Sequence, residues 1–153
     1  AEYEDEARSG VYGAPRQYAR GQEHKHLKEM KAITGMEQNP IFCPIVSDFY
    51  SGMEVTVMLH GSDLKGDIEA IKQVYRQTYT GDLVKLCEEV SEGGFLSAVA
   101  MSGRDDMEIT VHGNDERVIL TARFDNLGKG ASGAAIQNMN ILLGVDPTTG
   151  LVI

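Results

Sequence analysis

A chain of 153 residues with 42% apolar side chains is long enough for one domain with its own core and too apolar to be disordered. Its net charge of −9 and pI near 4.8 argue against a nucleic-acid-binding protein, which needs a basic face to release counterions. No apolar run approaches the roughly twenty residues that span a bilayer. The two cysteines, Cys43 and Cys87, are few enough to fit a reducing, cytoplasmic compartment.

The opening Ala1-Glu2-Tyr3-Glu4-Asp5-Glu6 is acidic where a signal peptide would be basic, and no initiator Met precedes it. A cut or processed chain is therefore expected. Residues 1–8 read as helix, and residues 9–15, with Gly10, Gly13 and Pro15, as loop. Leu27, Met30 and Ile33 stand at helical spacing over residues 27–34 and stop at Gly35. Residues 41–50 are apolar and aromatic, a strand with Pro44 at an edge or bulge. Met53, Val55, Val57 and Leu59 alternate with Glu54, Thr56, Met58 and His60, as in a strand with one wet face. Ser62 or Asp63 can cap a helix bearing Ile68, Ile71, Val74, Tyr75 and Thr78 that ends at Gly81. Four strand-like runs follow, over residues 83–90, 95–101, 107–112 and 118–124, with Gly113-Asn114-Asp115-Glu116 as a hairpin turn between the last two. Both cysteines fall in strand-like runs and are expected to be buried and inert. A last helix runs from about residue 131 to Leu143 and stops at Gly144. The sum is an α+β fold in a single domain, residues 1–153. It has a mixed, largely antiparallel sheet of about six strands with helices on one face.

Two stretches could carry chemistry. Gly128-Lys129-Gly130-Ala131-Ser132-Gly133 is a literal G-x-G-x-x-G between a strand-like and a helix-like run. A dinucleotide fingerprint also needs a second strand ending in an acidic residue roughly twenty positions on. Only twenty residues follow Gly133, so that strand has no room. The glycines can equally serve a tight turn and close packing. In Glu23-His24-Lys25-His26-Leu27-Lys28-Glu29-Met30, two histidines lie two apart before a helix. Three readings stand: exposed residues at a helix start, a metal pair, or a general acid/base oriented by a neighbour such as Glu29. No nearby Cys or His completes a zinc spacing, so no metal is expected.

Tyr18, the block His24 to Met30, residues 41–50 with Gly52, and Asp125-Asn126-Leu127-Gly128-Lys129-Gly130-Ala131-Ser132-Gly133 followed by Gln137-Asn138-Met139-Asn140 resemble, in this order, the N-acetyl-gamma-glutamyl-phosphate reductase family of arginine biosynthesis. The last block is the most specific. The resemblance covers nearly all of this chain but only the later half of the family's length. The Rossmann domain, the Gly-Cys-Tyr-Pro nucleophile motif and the Ser-Gly-x-Ser-Gly loop have no counterpart here. Neither cysteine has the nucleophile's context, and neither is assigned that part. The resemblance implies a glyceraldehyde-3-phosphate-dehydrogenase-like C-terminal domain and NADP as cofactor. It also implies a small acyl phosphate as substrate, a cysteine thioester in the reaction, and a homodimer or homotetramer. By itself this chain is expected to be inactive. His24 aligns with the acid/base histidine. Tyr18, His26 and Glu29 align with substrate-pocket positions. Asn126, Gly128, Lys129 and Gly130 align beside the cofactor's nicotinamide. The last helix, residues 131–144, would dock through Ile136, Met139, Asn140 and Leu143 on the Rossmann domain. Two departures stand out: Lys28 replaces a frequent Pro, and Tyr50-Ser51-Gly52 lacks a frequent Arg-Gly pair. If that arginine binds the substrate anion, another group must do so here. The alternatives are a carrier-linked acyl-phosphate reductase of lysine biosynthesis and a non-catalytic binding or assembly module.

Overall fold

The computed structural model describes residues 7–90 and 92–153. The helix expected over residues 1–8 lies mostly outside them, and Ala7 and Arg8 are not helical. The chain gathers into two compact units, one up to Phe49 and one from Tyr50 onward.

The first unit is built on little. Ser9 caps a short 3-10 turn, Gly10–Gly13, inside the expected loop. Strand β1 (Arg16–Gln17) pairs antiparallel with β2 (Ile45–Val46). Helix α1 (Lys25–Thr34) starts at His24 and stops where Gly35 turns left-handed at φ 72°. Its apolar stripe buries Leu27 alone. The long strand expected over residues 41–50 shrinks to two residues. Pro40 and Pro44 cannot donate to a ladder. The backbone of Phe42 is instead clasped by Gln22, whose Nε2 donates to the carbonyl at 2.6 Å and whose Oε1 accepts the amide at 2.9 Å.

The second unit holds a four-stranded sheet in the order β3-β6-β5-β4. Its strands are β3 (Met53–His60), β4 (Val84–Leu86), β5 (Met107–Gly113) and β6 (Arg117–Phe124). The β3–β6 and β5–β6 pairings are antiparallel and β4–β5 is parallel, so the sheet is mixed and largely antiparallel. The six strands among the described residues thus form two sheets rather than one. Register sorts the two faces. One carries the row Val55, Ala122, Ile109 and the row Val57, Leu120, Val111; the other carries Glu54, Arg123, Glu108 and Thr56, Thr121, Thr110. Ile109, Val111, Val118, Leu83 and Met101 are the buried apolar side chains of this unit.

On the polar face Arg123 is 2% exposed and pairs with Glu92 at 2.5 Å and Glu108 at 2.7 Å. A buried guanidinium needs such partners. Residues 95–97 are irregular and residues 98–101 form turns instead of the expected strand. Glu92 accepts the Ser97 amide, and Gly93 and Gly94 have positive φ. The run read as a strand from residue 83 to 90 keeps three strand residues.

Helix α2 (Ile68–Thr78) packs on β4 and β5 and is capped by Asp67, not by Ser62 or Asp63. The Asp67 carboxylate accepts the Ala70 amide at 2.8 Å. Asp63 instead closes a 3-10 turn, Gly61–Asp63, by accepting the His60 amide. The helix ends at Thr78, short of Gly81. Helix α3 (Gly133–Leu143) follows a π-helical turn, Gly128–Ser132, and stops at left-handed Gly144. Of its expected apolar face, Asn140 is buried and donates to the Pro147 and Thr149 carbonyls, while Met139 and Leu143 are exposed. The cysteines also depart from expectation: Cys43 is exposed and Cys87 half-buried. No helix among the described residues is long and apolar enough to cross a membrane.

Candidate active site

Tyr18, His24, His26 and Glu29 lie together in the first unit. His24 is the N-cap of α1, and its Nδ1 accepts the His26 amide at 3.3 Å. That contact fixes a tautomer: the neutral ring carries its proton on Nε2 and presents a donor. The Tyr18 ring meets His24 edge-on at 5.9 Å, and the Phe42 ring lies 5.3 Å from it. These rings hold the imidazole's plane.

His26 is oriented differently. Its Nδ1 lies 2.6 Å from Glu29 Oε2, one helical turn on. A proton shared there leaves Nε2 as an acceptor. The hydrogen bond from His26 is also the main reason the Glu29 carboxyl sits below the usual carboxylate range. The two imidazoles, 4.6 Å apart, therefore offer opposite faces, one donating and one accepting. Glu29 serves His26 and not His24, which sequence spacing left open.

A cavity of about 430 Å³ is lined by Gln22, Glu23, His24, Leu27, Lys28 and Asn39. It brings a cation, Lys28, to the same space as His24. No cluster among the described residues could hold a metal ion.

The second unit carries Asn126, Gly128, Lys129 and Gly130 in the turn before α3. Asp125, 3% exposed, organises this turn. One carboxylate oxygen accepts the Leu127 and Gly128 amides at 2.7 and 3.0 Å; the other accepts Ser51 Oγ at 2.8 Å and the Gly103 amide at 2.5 Å. Burial alone would raise its pKa, but these donors, chiefly the Gly103 and Gly128 amides, hold it down to about 2. Asp125 stands within the glycine-rich motif, where residue spacing assigns it no task. An acidic residue directly before a run of glycine turns is the signal that could have identified it.

Asn126 is exposed, and its Oδ1 accepts the Gly52 amide at 2.9 Å. Its amide nitrogen is thereby aligned as a donor. Lys129 Nζ donates to Gln137 Oε1 at 2.7 Å, and burial pushes its pKa down against the pull of Asp105 and Asp106. The glycines make room for the chain itself. A Cβ at Gly128 would meet the Arg104 carbonyl at 2.5 Å, and one at Gly133 would overlap the Asp105 side chain. The anchored, exposed carboxamide of Asn126 fits a carboxamide-bearing group such as a nicotinamide.

The chain is 40% identical to N-acetyl-gamma-glutamyl-phosphate reductase 2 of Nostoc sp., over 93% of this chain and 45% of that relative. It is 38% identical to the N-acetyl-gamma-glutamyl-phosphate reductase of Brucella ovis, over 90% of this chain and 45% of that relative. It thus spans about half the length of the curated relatives it matches. Among solved structures it is similar in fold to aspartate semialdehyde dehydrogenase II of Vibrio cholerae, with a TM-score of 0.60 at 21% identity, over 80% of this chain and 36% of that one. The aspartate semialdehyde dehydrogenase of Francisella tularensis matches with a TM-score of 0.56 at 20% identity, over 78% of this chain and 34% of that one. Residues 3–126 match the family model described as semialdehyde dehydrogenase, dimerisation domain, and the chain belongs to that family.

Proposed function

We propose that this chain is the histidine-bearing and assembly part of an NADP-dependent N-acetyl-gamma-glutamyl-phosphate reductase of arginine biosynthesis. The carrying observation is the 40% identity to a reductase of that name over 93% of the chain. The reaction reduces N-acetyl-glutamyl phosphate to the semialdehyde and releases phosphate. Its thiol and its Rossmann domain would come from the rest of a longer protein. Bound NADPH supplies the hydride. His24 manages the proton at the reacting carbonyl, and its Nε2–H suits donation to the oxygen as charge develops there. Tyr18 and Phe42 hold the ring. Lys28, in the same cavity, is suited to the substrate's anionic group. Asn126 would hold the nicotinamide carboxamide, beside Gly128, Lys129 and Gly130.

A second assignment of the base rests on one contact. His26 has a carboxylate on Nδ1 and an accepting Nε2, the arrangement expected of a group that takes a proton from a thiol. His24 then acts as acid and His26 as base. In the protein carrying both halves, His24→Ala lowers kcat by roughly a hundredfold or more. His26→Ala and Glu29→Gln each lower kcat/KM if His26 is the base. Near-wild-type turnover of His24→Ala would remove His24 from the mechanism. Phosphate-dependent oxidation of the semialdehyde with NADP by this chain alone would overturn the need for the other half.

The compartment proposed is the cytoplasm, and the assembly proposed is a homodimer or homotetramer. Leu142 at 87% exposure, with Met139 and Leu143, gives α3 an apolar surface suited to docking the Rossmann domain.

A further inference from the structure

We infer that the free edge of β3 joins a second copy of this chain about a two-fold axis through Thr56, extending the sheet from four strands to eight. The pairing rests on the oligomer proposed above and specifies how it is built.

Gly61 N donates to Glu116 O at 2.8 Å, directly across the β3–β6 register. Hydrogen-bonded pairs alternate along an antiparallel ladder. The odd residues of β3 therefore bond to β6, and the even residues turn their N–H and C=O groups to the outer edge. The β5–β6 ladder agrees, because Asn114 and Arg117 exchange both bonds across it, leaving the even residues of β6 for β3.

The outer edge is closed at both ends. The Gly52 amide is taken by Asn126 Oδ1 and the His60 amide by Asp63 Oδ2. Between them Glu54, Thr56 and Met58 present free amides and carbonyls, and the centre of that window is Thr56. Antiparallel pairing of two copies on Thr56 sets Glu54 opposite Met58 and Val55 opposite Val57. All the free groups of both windows are then used in six hydrogen bonds, and no like charges face each other.

The edge lacks the usual protections. Its eight residues contain no proline, lysine or bulge, and Glu54 is its one acidic residue. Val55 is 40% exposed, Val57 47% and Met58 78%, so β3 is bare on both faces and not only on the wet one. A second copy suits this edge because the window is self-complementary. A family model described as a dimerisation domain matches across it.

Sedimentation of the 153-residue chain tests the pairing. The wild type should be a dimer. Thr56→Pro removes an outward amide that the β3–β6 ladder does not use, so it should give a monomer with an unchanged far-ultraviolet spectrum. In a Cys43→Ser background, Thr56→Cys should crosslink two copies on mild oxidation, because facing Cα atoms lie about 5.5 Å apart. Val57→Cys, which faces Val55, should crosslink at least tenfold more slowly. A monomeric wild type overturns both the oligomer and the edge. A dimeric Thr56→Pro, or a Thr56→Cys that crosslinks no faster than Val57→Cys, overturns the edge and leaves the oligomer standing. Should Thr56→Pro fail to fold, the crosslinking comparison decides.

Discussion

The two units of this chain hold their candidate residues by different means. In the first, the histidines depend on local contacts: a cap, an i,i+3 pair, and aromatic rings over a helix that buries only Leu27. In the second, Asn126 and Lys129 follow a buried carboxylate that ties together the Ser51 hydroxyl and the Gly103 and Gly128 amides. Local contacts stiffen side chains cheaply but leave the element that bears them easy to open. A long-range network opens only with its sheet. The proposed acid/base groups thus stand on the more yielding support, where binding of substrate or of another domain could still adjust them.

That contrast can be broken or sharpened. The largest expected effect is at Asp125. Asp125→Ala leaves several buried donors unpaired and should destabilise the second unit by about 3 kcal/mol, read from urea unfolding followed through the sheet. A loss below about 1 kcal/mol would mean that the turn is held some other way. Leu27→Ala should cost about 2 kcal/mol and should speed hydrogen exchange in α1 while leaving β5 and β6 amides unchanged. Equal loosening of both would show one cooperative body and end the contrast. A smaller effect follows from pH. Asp125 is held at about 2 when folded, below its ordinary 3.8. Its contribution to stability is whole above pH 4 and fades as pH falls toward 2. Urea midpoints should drop across that window in the wild type and drop less in Asp125→Asn.

Where periodicity and turn chemistry acted alone, the sequence was readable. The extent of β3, the Gly113-Asn114 hairpin, and the Gly35 and Gly144 stops all stand where residue pattern puts them, although β3 is exposed on both faces and not on one. Reading failed where a distant partner decided. Residues 95–101 have strand composition but bend to serve Glu92 and Arg123, residues 31 positions apart. Residues 41–50 are apolar, yet Gln22 takes the Phe42 backbone and two prolines bar a ladder. At the site, spacing marked the His24–His26 pair but could not say which imidazole Glu29 would meet. That depended on His24 being consumed as a helix cap.

The four-stranded sheet is lopsided. Its β3 border runs eight residues in the open, while its β4 border is three residues long and parallel to its neighbour. A sheet with two long matching borders could add copies without end. Here only one border can recruit, and once two copies meet there nothing comparable is left to offer. If copies pair on β3 as inferred, growth of the sheet would stop at two, and the short strand would act as a terminator that keeps the sheet out of fibres.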